Sequence, residues 1–346
     1  MYRGVRSNTW FIILFFCAIV GEKIGCPRDD SYPIDIVYLW VDGSDSVWQE
    51  IKETYLALAL HEGVGYKHDG YAAHRFANND ELRYSLRSIM AYAPFFNHIY
   101  IVTMNQRPEW LIDHPAVTII DHKQIFRNQG HLPTFNSHAL ESNLHRIPGL
   151  KEHFIYFNDD VFLGGPVSPE DFFTPDGKIK VLFEASLSPS GPPVDGETAY
   201  RRAWRNTNAF LDKKYRKERR LRLCHAPFAL KKSLIMQAED EMTAIFEANS
   251  SHRFRGNDDF NITNGLLQYY WLYHGHIVAG ALSNKMVSLY GDGLYEQNSN
   301  QLDGLYAHKI DTFCLQDVMG PDNSATKKAL HNFLERYYPQ KAPWEH

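Results

Sequence analysis

The stretch Phe154-Ile155-Tyr156-Phe157-Asn158-Asp159-Asp160 constrains this chain more than any other. An apolar, aromatic run breaks abruptly into an amide and two adjacent carboxylates. A short apolar run bounded by polar residues reads as a buried strand. In an open α/β sheet, ligands bind beyond the carboxyl ends of the strands. Two carboxylates side by side repel unless a cation or a proton lies between them. Oxygen-only ligands suit Mg²⁺ or Mn²⁺, and Mg²⁺ commonly takes one or two carboxylates together with substrate phosphates. The stretch is therefore either a metal–phosphate edge or a strand ending in an Asx turn, which the same residues also favour.

Other strand signals frame it. Pro33 to Val41 reads as a first buried strand, closed by the turn Asp42-Gly43-Ser44-Asp45. A helix follows to about Leu60, then a Gly/His-rich loop to about His74. Asn78 as cap with Glu81 three residues on predicts a capping box. Leu82, Leu86, Ile89 and Met90 then form one apolar helical face. His98–Thr103 and Val117–Ile120 read as further strands. Pro189 to Pro193 reads as a loop or lid. Helices are expected over about 228–249, 259–273 and 326–338. Strands alternating with helices predict an α/β fold, a mainly parallel sheet with helices on both faces and an elaborated helical second half.

A net charge of −5 gives no global field for nucleic acid or an anionic membrane, so anion binding must come from a local cluster. Arg3 and Arg6 precede an apolar run from Trp10 to Val20, well short of the ~20 residues of a comfortable bilayer span. This predicts a secretory signal peptide, with a signal-anchor as the alternative. The expected organisation is a targeting segment over 1–28, a catalytic domain over 29–320 and a helical tail over 321–346. Of four cysteines, Cys17 lies in the apolar run; Cys26, Cys224 and Cys314 allow one pair and one leftover thiol. The sequons at Asn249 and Asn261 would be glycan acceptors in an exporting compartment.

Several groups carry candidate chemistry, each beside a plainer reading. Asp42 and Asp45 lie on the edge assigned to Asp159 and Asp160, or simply make a turn. Arg83 and Arg87, one helical turn apart, match a diphosphate bidentately, or form a solvated face. His138, Glu141 and His145 share one stripe, with Glu141 a candidate base or outer metal partner, or else lie on a surface helix. His225 follows a basic run over 213–222 and is a candidate general base, or a structural histidine. Asp258 and Asp259 beside Arg253 and Arg255 could hold a phosphate and a metal together, or form structural salt bridges.

Taken in order, these blocks resemble one family. Ile34 to Asp45 resembles the first conserved block of the Stealth sugar-1-phosphate transferases. Arg75 to Leu111, including Asn79-Asp80-Glu81-Leu82-Arg83-Tyr84-Ser85-Leu86-Arg87-Ser88, is similar to the second. Leu132 to Glu141 and on to Phe162 resembles the third; Cys224-His225-Ala226-Pro227 and Phe254 to Asp259 resemble the fourth. The resemblance, read over about Pro33 to His276, implies a nucleotide-sugar-transferase-like (GT-A-like) fold. It implies transfer of a hexose 1-phosphate, such as GlcNAc-1-phosphate from UDP-GlcNAc, to a hydroxyl on a glycan or glycoprotein. Functional positions then fall at Asp45, Glu141, Asp160, His225 and Arg255, with a Mg²⁺ or Mn²⁺ ion; the reading of the residues themselves adds Asp159 or Asp258 as helpers of Asp160 at that ion. Asp42, Asn158, Arg83 and Arg87 would contact substrate. The span from Asp160 to His225 is about 65 residues, close to the compact bacterial members, which puts a protein-recognition role in doubt. Export suggests a Golgi-lumen enzyme, membrane-anchored or soluble, and a homo-oligomer is compatible. The rival readings are a conventional nucleotide-sugar glycosyltransferase and a non-catalytic glycan-binding secretory protein.

Overall fold

The computed structural model describes residues 32–63, 67–320 and 323–346. The targeting segment, Cys17 and Cys26 lie outside the described residues. Twelve strands are found among those described: β1 (Ile34–Leu39), β2 (Phe96–Thr103), β3 (Val117–Asp121), β4 (His153–Asn158), β5 (Val161–Leu163), β6 (Ile179–Val181), β7 (Phe183–Leu187), β8 (Leu221–Leu223), β9 (Phe228–Lys231), β10 (Ile277–Ala279), β11 (Asn284–Leu289) and β12 (Thr312–Asp317). The main sheet has the order β3-β2-β1-β4-β9. Its first four strands run parallel and β9 runs antiparallel to β4. The α/β fold with a mainly parallel sheet is the one expected.

All six residues of β1 are buried, as a central parallel strand covered on both faces requires. Its one charge, Asp35, accepts hydrogen bonds from Asn97 Nδ2 and Lys151 N, both at 2.7 Å. These partners stand at the amino ends of β2 and β4, so that edge of the sheet satisfies itself. The carboxyl edge is different. β4 ends level with β1, Asn158 pairing with Leu39. After two intervening residues the chain enters β5, which joins a second sheet of order β11-β12-β5. Asp159 and Asp160 therefore lie between two sheets and two hydrophobic cores. Phe157 packs in the larger core, Phe162 in the smaller one with Phe313, Phe333 and Tyr338.

Leu82, Leu86 and Ile89 are buried and Met90 packs beside them, so the helix Glu81–Tyr92 presents the expected face. Its start differs from expectation. Glu81 turns back to accept from Asn79 N at 2.6 Å, and Asp80 takes a left-handed φ of 65° as the cap residue. The capping box at Asn78 does not form because the Glu81 carboxylate is held one turn earlier. Phe228–Lys231 is a strand rather than the start of a helix. Its pairing with β4, Tyr156 opposite Phe228, overrides an apolar run that periodicity alone cannot assign. Helices Lys232–Glu241 and Thr243–Ser251 follow, and Ser324–Tyr337 forms the terminal helix. The second half is thus helical but also carries β6 to β12. Among the described residues no helix is long and apolar enough to cross a membrane.

Both sequons face inward. Asn249 donates to His138 O at 2.9 Å, and Asn261 is buried as well. A glycan at either position is incompatible with this packing, which corrects the expectation that they are acceptors. Cys224 and Cys314 are both free thiols.

Candidate active site

The carboxyl edge of the main sheet opens into a cleft of about 510 Å³. Asn158, Asp159 and Asp160 line it from the end of β4; Glu141, His225 and Arg255 line it from other parts of the chain. Each is positioned by backbone. Asp160 O accepts from Leu315 N of β12 at 2.9 Å. His225 stands in the link from β8 to β9, three residues before the pair Phe228–Tyr156. Gly70 lets the Arg255 backbone approach where a side chain would collide with its carbonyl oxygen. Lys67 N donates to that same oxygen at 3.2 Å.

The acidic side of the cleft is unbalanced. Burial raises the Asp159 carboxyl well above the usual carboxylate range, and the charges of Asp160 and Glu81 push it further. Glu81, buried against Asn79, is raised to about 7, chiefly by burial and despite the Asn79 hydrogen bonds. Asp317 closes this side from the end of β12 and accepts from Asn79 Nδ2 at 3.1 Å. Like carboxylates held this closely favour a proton or a cation among them.

His225 Nε2 lies 3.3 Å from Asp160 Oδ1. Burial would lower its pKa, but the charge and hydrogen bond of Asp160 outweigh that and raise it above the ordinary histidine value. Glu141 is fixed from two sides: Thr263 Oγ1 donates to it at 2.6 Å and Tyr156 OH at 3.4 Å. Arg255 Nη2 donates to Ser137 Oγ at 2.5 Å. Arg75 also lines the cleft, held by Asp69 at 2.9 Å. Burial and the neighbouring Arg255 charge lower the Arg75 guanidinium to about 10. Two guanidiniums that repel each other face a cluster of acids, a pattern suited to an anion bound with a cation.

Not every residue expected here arrives. Asp42 is occupied by Ser44, whose N and Oγ donate to it at 2.9 and 2.6 Å. Asp45 caps the helix Ser46–His61, accepting from Val47 N and Trp48 N. Those bonds, Trp48 first and then Gln106, hold its carboxyl below the usual range. Neither lines the cleft. Arg83 and Arg87 are held by Glu345, at 2.7 and 2.8 Å, and do not form a diphosphate clamp. Asp258 is exposed and outside the cleft, whereas the buried Asp259 lies 3.1 Å from His138 Nδ1 and 2.8 Å from His252 Nδ1. Burial opposes its ionisation, yet both histidines hold its pKa low. The metal role expected of Asp258 has no geometry to support it. His145 pairs with Glu239 at 2.9 Å and lies outside the cleft, whereas His138 and Glu141 of the same stripe line it. In the basic run, Arg220 pairs with Asp212 at 2.6 Å and Lys214 with Glu241 at 3.3 Å; Arg222 reaches the cleft.

Glu81, Arg75 and Asp317 were not among the sequence candidates. The sequence makes Glu81 the capping-box partner of Asn78, and nothing in it shows that Asn79 joins Glu81 to Asp317 across the fold. Asp317 ends a strand that no alternating pattern announces.

Four family models match the chain: Stealth protein CR1, conserved region 1, over residues 32–57; CR2, conserved region 2, over 75–181; CR3, conserved region 3, over 224–272; and CR4, conserved region 4, over 303–346. The second and third blocks read from sequence both fall in region 2, and the fourth falls in region 3. Region 4, with Cys314, Asp317 and Glu345, lies beyond the span over which the resemblance was read. An exopolysaccharide phosphotransferase of Streptomyces coelicolor is 36% identical over 93% of this chain and 58% of its own length. The exopolysaccharide phosphotransferase CpsY of Mycobacterium leprae is 37% identical over 92% of this chain and 58% of its own. The chain thus spans somewhat over half the length of these relatives. Among solved structures, mouse xyloside xylosyltransferase 1 aligns with a TM-score of 0.37 and 10% identity over 82% of this chain and 97% of its own. The galactosyltransferase LgtC with donor and acceptor sugar analogues aligns with a TM-score of 0.40 and 12% identity over 89% and 97%.

Proposed function

The chain belongs to the Stealth family, and from that premise we propose that its cleft transfers a hexose 1-phosphate from a nucleotide sugar to a glycan hydroxyl. The finer reading is GlcNAc-1-phosphate from UDP-GlcNAc. The observation that carries it is convergence: Asp160, Glu141, His225 and Arg255, remote in sequence, line one cleft. The similarity to exopolysaccharide phosphotransferases supports the same reaction class.

The acceptor oxygen attacks the phosphorus attached to the sugar, a new P–O bond forms, and the P–O bond to UMP breaks. The sugar–oxygen bond is untouched. Such chemistry is mostly positioning and charge neutralisation. Arg255 and Arg75 bind non-bridging oxygens as charge moves to the leaving UMP. His225 takes the acceptor proton at Nε2, since the Asp160 carboxylate 3.3 Å away raises its proton affinity. Glu141, engaged by Thr263 and Tyr156, holds that wall in place. The crowded carboxylates fit a divalent cation, with Asp160 and Asp159 as its holders. When bound, Mg²⁺ or Mn²⁺ would offset diphosphate charge. The basic and apolar N-terminal segment supports a setting in the secretory pathway.

Phosphorus NMR of the product formed from UDP-GlcNAc and an oligosaccharide acceptor tests the reading. A phosphodiester with UMP is expected; a phosphorus-free glycoside with UDP overturns it in favour of ordinary glycosyl transfer.

A further inference from the structure

Asp160 has neighbours that a hard-cation site does not call for. Its Oδ1 lies 3.3 Å from His225 Nε2, and its Oδ2 accepts the Cys314 thiol at 3.3 Å. One ligand atom from each of the three side chains lies within 4.8 Å of the others. They come from separate pieces of backbone. Asp160 follows β4, His225 precedes β9, and Cys314 sits in β12 opposite Val161 of β5. The arrangement is therefore set by two strand pairings, β4 with β9 and β5 with β12, not by one flexible loop. Cys314 is buried, while Asp160 and His225 face the cleft.

Mg²⁺ demands oxygen ligands in near-octahedral geometry. A thiolate, an imidazole and a carboxylate together are the donor set of Zn²⁺, at about 2.3, 2.0 and 2.1 Å in a tetrahedron. Bonds of those lengths place neighbouring ligand atoms roughly 3.3–3.6 Å apart. The Asp160 carboxylate meets the other two through different oxygens, His225 Nε2 at Oδ1 and Cys314 Sγ at Oδ2, each at 3.3 Å, so both flanking donors already stand near such a spacing from the carboxylate. Three protein ligands with the fourth position open to the cleft is the pattern of a reactive rather than a structural zinc site. Soft sulfur selects against Mg²⁺.

We propose that Asp160, His225 and Cys314 form a binding site for a thiophilic divalent ion of the Zn²⁺ and Co²⁺ class. On binding, the Cys314 S–H bond breaks and its proton leaves to solvent. The resulting thiolate, His225 Nε2 and an Asp160 oxygen take the ion, with no change in oxidation state. Because the ion occupies His225 Nε2, zinc is an antagonist of turnover even where a hard cation supports it. This last consequence rests on the transfer reading; the binding itself does not.

The test is a Co²⁺ titration of the full chain, followed by thiolate-to-cobalt charge-transfer absorption in the near ultraviolet. A band is expected that saturates at one equivalent and is erased by one equivalent of Zn²⁺ but not by excess Mg²⁺. Cys314→Ser loses the band, Cys224→Ser keeps it, and His225→Gln weakens Co²⁺ binding at least about tenfold. No band in the unaltered protein, or a band that survives Cys314→Ser, overturns the site. Neither readout involves turnover, so an inactive protein that shows the band keeps the site, and an active one without it loses it.

Discussion

Two charged clusters in this molecule use the same residue types and end in opposite states. Around Arg87 the charges close on one another. Its guanidinium, 2% exposed, donates to Glu345, to Glu335 and to the Tyr338 carbonyl, and Glu345 takes Arg83 as well. At the cleft floor Asp159, Asp160, Glu81 and Asp317 crowd together, and the arginines that share the cleft are Arg75, Arg222 and Arg255. Burial first, and then neighbouring acids, raise the carboxyls of Asp159 and Glu81. Composition does not separate a structural ion cluster from a binding site here. Balance within the fold does, because an unbalanced cluster is the one left for a ligand to complete.

The largest effect that can break this contrast is catalytic. Asp160→Asn or Arg255→Ala is expected to lower UMP release by at least about 10³-fold, as removal of a charge-stabilising group does. The melting temperature should stay within a few degrees. Full activity in either variant would remove the functional half of the comparison. The next effect belongs to the closed cluster. Arg87→Ala leaves Glu345 buried without its main partner and is expected to cost about 3–5 kcal/mol, read from denaturant midpoints. The donor KM of the folded fraction should not change. A stable Arg87→Ala protein with weakened donor binding would return Arg87 to the site.

The smallest effect is a pH slope. Glu81 ionises near 4.5 when unfolded but only at about 7 in the fold. Between those values the folded state binds the extra proton, so stability falls as pH rises and levels off above 7. The fall attributable to Glu81 is up to about 3 kcal/mol. Equilibrium unfolding in metal-free buffer should show it in the unaltered protein and not in Glu81→Gln. Equal slopes in the two proteins would mean that the acids at the floor are balanced after all.

The parallel core was legible because β1 and β4 are buried on both faces and so read as apolar runs. The metal edge was legible because two acids follow β4 directly. Glu141, His225 and Arg255 were legible as candidates in their own stretches, but each had a structural reading of equal or greater weight there, and the resemblance singled them out. Arg83 and Arg87 misled because their partner, Glu345, lies more than 250 residues away in sequence. Asp258 and Asp259 could not be told apart by type; burial sends one to solvent and the other to two histidines. Cys314 and Asp317 were invisible because β12 gains its position from β5 and β11, strands equally short or plain in sequence.

The passage from Phe157 to Phe162 can also be seen mechanically. The first of these rings is anchored in the larger core and the second in the smaller, with the two acids between them. It is a joint whose pin is electrostatic. Any charge gained or lost at Asp159 and Asp160 is therefore applied to the short stretch that ties one core to the other.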